Sequence, residues 1–197
     1  MGVFIQTERL ALRSWMESDR DAFARLNADR RVMAFLPHVL SREKSDGSFD
    51  RIQAHFRRHG FGLFAAALRD DDAFIGFIGL FMPSFEAHFT PCVEIGWRLA
   101  VEYWNRGLAT EGARAVVRYA FDVLRLDELV SFTVPANARS RRVMEKIGMT
   151  LDPEGGFDHP SLPPGHPFRP HVLYRLKPDG VPYGRRLFAT TFRILPN

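Results

Sequence analysis

Residues 97–110, WRLAVEYWNRGLAT, run from a strand-like stretch through a short turn into a helix, and this junction decides how the chain is read. At a helix start about four amides lack internal partners and sit at the positive end of the macrodipole. Arg106, Gly107, Leu108, Ala109 and Thr110 can therefore turn N–H groups toward one anion. Gly107 and Ala109 are small enough for a pyrophosphate to touch the backbone itself, and Arg106 adds charge. The plainer alternative is a glycine that eases a turn, and local pattern leaves both open. Two familiar phosphate loops are excluded, because neither a Lys-Ser or Lys-Thr after the glycine nor a G-x-G-x-x-G is present.

Downstream, Ala109, Ala113, Val116, Val117, Ala120, Phe121 and Leu124 recur at threes and fours, with Glu111, Arg114, Arg118 and Asp122 on the other face, which predicts a helix over 107–125. A strand over 128–134 and a helix over 137–147, stopped by Gly148, complete a β-α-β-α unit. Upstream, residues 61–68, 74–82 and 93–100 are strand-like runs. The first two are separated by the acidic turn RDDDA, and three antiparallel strands in succession are expected. TERLALR at 7–13 alternates as a first strand. A helix carrying Ala22, Phe23 and Leu26 follows, then a short helix ending before Pro37 and a third over 50–58. Residues 152–170 hold six of the 13 prolines and read as a long ordered loop or lid before a strand over 171–176. The last residues, VPYGRRLFATTFRILPN, suit either an extra strand or an arm toward a partner subunit.

EIGWRLAVEYWNRGLATEGARAVVRYAF followed by NARSRRVMEKIGM resembles the GNAT acetyltransferase superfamily, in particular its branch of ribosomal-protein N-terminal acetyltransferases of the RimJ and RimL kind, over most of Thr7 to Met149. The family's Q/R-x-x-G-x-G/A motif falls on Trp104, Gly107 and Ala109, with Trp104 in place of the Gln or Arg. The resemblance implies an α+β fold: a mixed, mostly antiparallel sheet with splayed middle strands and helices on both faces. It implies a domain over 1–177 with a C-terminal extension at 178–197. It also implies acetyl-CoA as co-substrate, without a metal. Trp97 and Leu99 would then offer backbone groups to the pantetheine arm and Asn137 would reach it, although a helix cap is the local reading of Asn137 after Pro135 and Ala136.

Acetyl transfer needs a neutral amine, and an α-amine of pKa about 8 is roughly a tenth neutral at pH 7, a lysine far less. Glu94, matching the family's EIG glutamate, is the candidate base, against the plain reading of a solvent-facing strand residue. The tyrosine many relatives use as acid is replaced by Met144, and Ser140 is carried over as a group near the thiol, its plain reading being a first-turn polar residue. Cys92 shares the strand face of Glu94, but a lone strand cysteine with no positioned histidine makes a poor acyl carrier. Asp158 and His159 in the proline-rich lid are candidates for recognising the acceptor amine.

One domain suits 197 residues. A hydrophobic content of 46% against 25% charged excludes disorder. Without a signal-like start, a long apolar run or a second cysteine, a cytoplasmic protein that does not engage membrane is expected. The +4 charge is spread along the chain, which suits a polyanionic ligand better than nucleic acid, since no basic stripe with interleaved aromatics occurs. His55, His59, His159, His166 and His171 form no metal-ligand motif. The leading reading is an acetyl-CoA-dependent N-acetyltransferase acting on a small-molecule or peptide amine. A CoA-binding module without catalysis is the alternative, and a homodimer is left open.

Overall fold

In the computed structural model, residues 3–181 and the backbone of Thr191–Phe192 are described. Apolar runs too short for helices fold into strands: β1 (Val3–Gln6), β2 (Leu10–Arg13), β3 (Leu63–Leu68), β4 (Phe74–Phe81), β5 (Glu94–Leu99), β6 (Leu129–Thr133), β7 (Thr150–Asp158), β8 (Pro170–Leu176) and β9 (Thr191–Phe192). They lie in one sheet in the order β7-β8-β6-β5-β4-β3-β2-β1-β9. All neighbouring pairs are antiparallel except β5 and β6, which are parallel and meet in register only at Glu94 and Val130. The Val130 N–H donates to the Val93 carbonyl at 3.0 Å, and beyond that point the strands part.

Both faces of the sheet are covered because the side chains of each strand alternate. On one face Leu10, Leu12, Ile78, Ile95 and Leu99 pack under α3 (Leu108–Arg118), whose Leu108, Ala113, Val116 and Val117 are buried, together with Met144 and Ile147 at the end of α4 (Ala138–Lys146). On the other, Trp15, Ala65 and Phe77 pack under Phe23 and Leu26 of α1 (Arg20–Ala28) and Phe49 and Ile52 of α2 (Arg42–His59). This is the mixed sheet with parted middle strands and two helical layers expected above. Among the described residues no helix is long and apolar enough to cross a membrane.

Several sequence expectations need correction. Residues 7–13 are not one strand: the Thr7 N–H donates to the Leu10 carbonyl and Thr7 Oγ1 accepts the Leu10 N–H, so a tight turn opens a β1-β2 hairpin. No second helix forms between α1 and Pro37, where Asp29 takes the Arg31 N–H at 2.8 Å and so offers the backbone a competing partner. The third helix starts at Arg42, because the Ser41 side chain caps it by accepting the Lys44 N–H. The helix expected over 107–125 is α-helical only to Arg118 and closes in a π-helical turn, Tyr119–Val123. Residues 152–158, read as part of a lid, belong to β7. The sheet edge accepts Pro153 because no ladder bond is needed on its outer side, and the register slips between Asp152 and Phe157. The loop proper is thus 159–169. In the C-terminal stretch, Thr191 and Phe192 add a strand to β1, while 182–190 and 193–197 lie outside the described residues.

Candidate functional site

Gly107 takes a left-handed conformation, φ 79°, as the N-cap of α3, and Asn105 before it is also left-handed at φ 59°. A side chain at Gly107 would be strained by that φ. The first intrahelical bond is Glu111 N–H to the Gly107 carbonyl, so the N–H groups of Leu108, Ala109 and Thr110 precede the helical ladder. Leu108 spends its side chain in the core, at 2% exposed, which fixes the depth at which this mouth sits.

A groove of about 440 Å³ opens beside the mouth, and its walls include Gly107, Thr110, Arg114, Arg118 and Lys146. Arg9 reaches across it: Nε and Nη2 engage Glu111 at 2.7 and 2.6 Å, and Nη1 donates to the Arg106 carbonyl at 3.0 Å. The Glu111 carboxylate also accepts from Thr7 Oγ1 and from the Arg9 N–H, so its charge is spent inside the network. Arg114 Nη2 donates to the Lys146 carbonyl, tying α3 to α4. The surplus along the groove is cationic, and a polyanion fits it. Thr110, Arg114 and Arg118 could have been found from the helical period of α3, but Arg9 and Lys146 join them only through topology, and sequence reading missed all but Thr110.

The remaining predicted cofactor residues divide. Trp104 does not face an anion: its Nε1 donates to the Leu99 carbonyl at 2.7 Å and Arg139 lies over its ring at 4.7 Å. The Leu99 carbonyl is therefore occupied, which leaves its N–H for the role the sequence suggested. Ladder alternation, anchored by the Val93 carbonyl on β6, directs the main chain of Trp97 and Leu99 into the gap between β5 and β6. Arg106 is exposed and lies 5.7 Å from the Tyr103 ring. Asn137 caps α4, accepting the Ser140 N–H at 3.2 Å, while its Nδ2 donates to Thr133 Oγ1 at 3.0 Å. Ser140 thus sits in the first turn of α4, at the end of β6 where the strands have parted. Met144 is 1% exposed and belongs to the core.

Opposite the α3 face, β5 presents Glu94, Gly96 and Arg98 in alternation. Glu94 is only half-buried by exposure to solvent, yet its carboxyl is crowded by protein, and desolvation pushes its pKa up to about 8. Cys92 is a thiol held up to about 11 by burial and then by Glu94, which disqualifies it as a nucleophile at neutral pH. Next to Glu94 on this face, Phe85, Phe89, Phe132 and Phe157 form an aromatic wall. His159 and His171 pack at its rim, 5.2 Å between ring centroids, and burial lowers both pKa values. Asp158 stands apart: its carboxylate binds Arg169 Nε at 2.9 Å and staples the 159–169 loop, and Arg169 Nη1 also holds the Leu162 carbonyl.

A family model described as an acetyltransferase (GNAT) domain matches residues 9–150. The uncharacterized N-acetyltransferase YnaD of Bacillus subtilis is 31% identical over 172 residues, covering 87% of this chain and 95% of its own. The crystal structure of an acetyltransferase from Agrobacterium tumefaciens matches at 30% identity and TM-score 0.71, over 89% of this chain and 94% of that one. RimJ of Mycobacterium smegmatis, in complex with CoA-disulfide, shares the fold at 20% identity and TM-score 0.69, over 88% and 84%.

Proposed function

The chain belongs to the GNAT acetyltransferase family, and from that premise we propose that it is an N-acetyltransferase moving an acetyl group from acetyl-CoA to a primary amine by direct attack in a ternary complex. The observation that carries this reading is the open helix mouth: the N–H groups of Leu108, Ala109 and Thr110 precede the helical ladder under a left-handed Gly107, beside a groove whose walls include Gly107, Thr110, Arg114, Arg118 and Lys146. These residues fit a pyrophosphate, since N–H groups outside the helical ladder and flanking cations are what an anion of that kind needs. The gap between β5 and β6 leads from this mouth toward Glu94 and suits the extended arm, with main-chain groups of Trp97 and Leu99 on one side and Asn137 and Ser140 at the end of the other.

When bound, the thioester supplies the activated acetyl carbon. The protein's part is to strip a proton from the amine, hold donors near the acyl oxygen and exclude water. Glu94 is the base in this scheme. With a pKa about 8 it is roughly a tenth ionised at pH 7. An arriving ammonium favours the carboxylate and pulls that value down. The Leu99 N–H is the donor for the acyl oxygen. Ser140 is the polar group nearest in role to an acid, because Met144 is sealed in the core.

The test pairs calorimetry of CoA with an amine-dependent assay of free thiol release. Micromolar CoA binding together with turnover supports the proposal; binding without turnover of any amine would leave only a CoA-binding module, and no binding would remove both.

A further inference from the structure

Arg98 is a half-buried cation on the acceptor face of β5 whose side-chain partner is neutral. Arg13 engages Asp19 at 2.8 Å and Asp72 at 3.2 Å, and Arg175 engages Asp152 and Glu128, each at 2.7 Å. Arg98, by contrast, donates through Nη1 to the neutral Asn27 Oδ1 at 2.6 Å and lies 5.2 Å from the centre of the Phe77 ring, with no carboxylate within ion-pair reach among the described residues. Asn27 is itself held by Ser45 Oγ at 2.9 Å, so α1 and α2 fix the guanidinium from above while β4 supports it from the side. A cation partly withdrawn from water and left with a neutral partner is relieved when a group of opposite charge arrives.

The strand between Arg98 and Glu94 carries no side chain on this face. Gly96 lies between Arg98 and Glu94 on the same strand face, and a methyl group built on it meets nothing nearer than Glu94 Oε1 at 3.9 Å. The floor of the acceptor side is therefore bare backbone with a carboxyl at one end and a guanidinium at the other.

We infer that the acceptor is a small amine that also carries a carboxylate, and that Arg98 receives this carboxylate while Glu94 faces the amine. The inference rests on the N-acetyltransferase reading and narrows its substrate class. On a strand, α-carbons four residues apart stand about 13 Å apart. The Glu94 carboxyl leans along the face toward Arg98, its Oε1 3.9 Å from where a Cβ on Gly96 would lie, so the two heads are closer than that and the acceptor is a short ω-amino acid. Desolvation pulls the Arg98 pKa down to about 10, in keeping with a site that an incoming anion would relieve.

The experiment measures kcat/KM for a series of ω-amino carboxylates of about three to eight carbons and for the primary amides of the same acids, with acetyl-CoA saturating. A charged hydrogen bond of this kind separates acid from amide by roughly 10-fold to 100-fold. The expected result is that preference, peaking at one chain length within the series, collapsing toward parity in Arg98→Gln and falling several-fold in Arg98→Lys, which keeps the charge but not the fork. An equal rate for acid and amide in the unaltered protein overturns the inference without any variant, as does an unchanged preference in either variant. Should Arg98→Gln fail to fold, Arg98→Lys decides. Failure of the unaltered protein to bind CoA or to acetylate any amine removes the enzyme reading as well as this one, so the two failures are distinguishable.

Discussion

Glu94 combines two properties that oppose each other in stability and support each other in chemistry. Its folded pKa, about 8, lies above the ordinary carboxyl value of 4.5. The folded state therefore holds the proton more tightly than the unfolded chain, and the stability linked to it is full below pH about 4.5 and lost as pH rises through 8. Glu94→Gln should accordingly leave the melting temperature near that of the parent at pH 4.5 and raise it above the parent at pH 9, which thermal melts at the two pH values will show. The same substitution should lower kcat/KM by about 10²-fold or more at pH 9 and erase a limb with apparent pKa near 8 in the pH profile. A profile that keeps this limb assigns the base to another group. The sequence placed Glu94 on the strand leading to the helix mouth, but not its crowding, because desolvation depends on which loops cover a strand. Arg98 was invisible for the same reason: next to Trp97 in the sequence it reads as an ordinary strand polar group, and only packing brings Asn27 of α1 onto its guanidinium.

At the scale of elements, α3 carries the proposed phosphate site and packs close against the sheet. Gly107→Ala forces a side chain into φ 79° at a cost of about 1–2 kcal/mol and sets a methyl group beside the main-chain donors. Calorimetry should find CoA affinity reduced by about 10-fold or more, with a lower melting temperature. Gly112, one turn on, lies flat on the sheet: a Cβ there would collide with Ile78 Cδ1 and approach Leu10 Cδ1 at 3.2 Å, in a region where both partners are fully buried. Overpacking of about 1–3 kcal/mol, offset by about 1 kcal/mol of helix propensity, predicts a net loss near 1 kcal/mol for Gly112→Ala. Denaturant titration will measure it, and a gain in stability would show that the contact relaxes freely. The helical period made α3 legible almost to its last turn, where the Leu124 N–H donates to the Tyr119 carbonyl and the ladder widens. β7 was hidden by Pro153, since the rule against Pro in strands weakens at an edge that sequence cannot reveal.

For the molecule as a whole, the decisive feature is a sheet that is continuous through β5 and β6 at Glu94 and then divides. A ligand that bridges the gap should stabilise both halves. CoA at a hundred times its Kd contributes about 2.7 kcal/mol, a rise of roughly 5–10 °C in melting temperature for a chain of this size. The junction at 97–110 and the order of elements were enough to read the family and the layering of the fold, because strand–turn–helix order survives in local pattern. The cationic groove was not, since Arg9, Arg114 and Lys146 come from separate elements joined only by packing. Nor was the acceptor floor, which β5 shares with α1 and α2. The most direct measurement is a crystal structure with acetyl-CoA. Pyrophosphate oxygens within about 3 Å of the N–H groups of residues 108–110, with the pantetheine arm between β5 and β6, are predicted. A cofactor seated elsewhere, leaving those donors to water, would contradict the account.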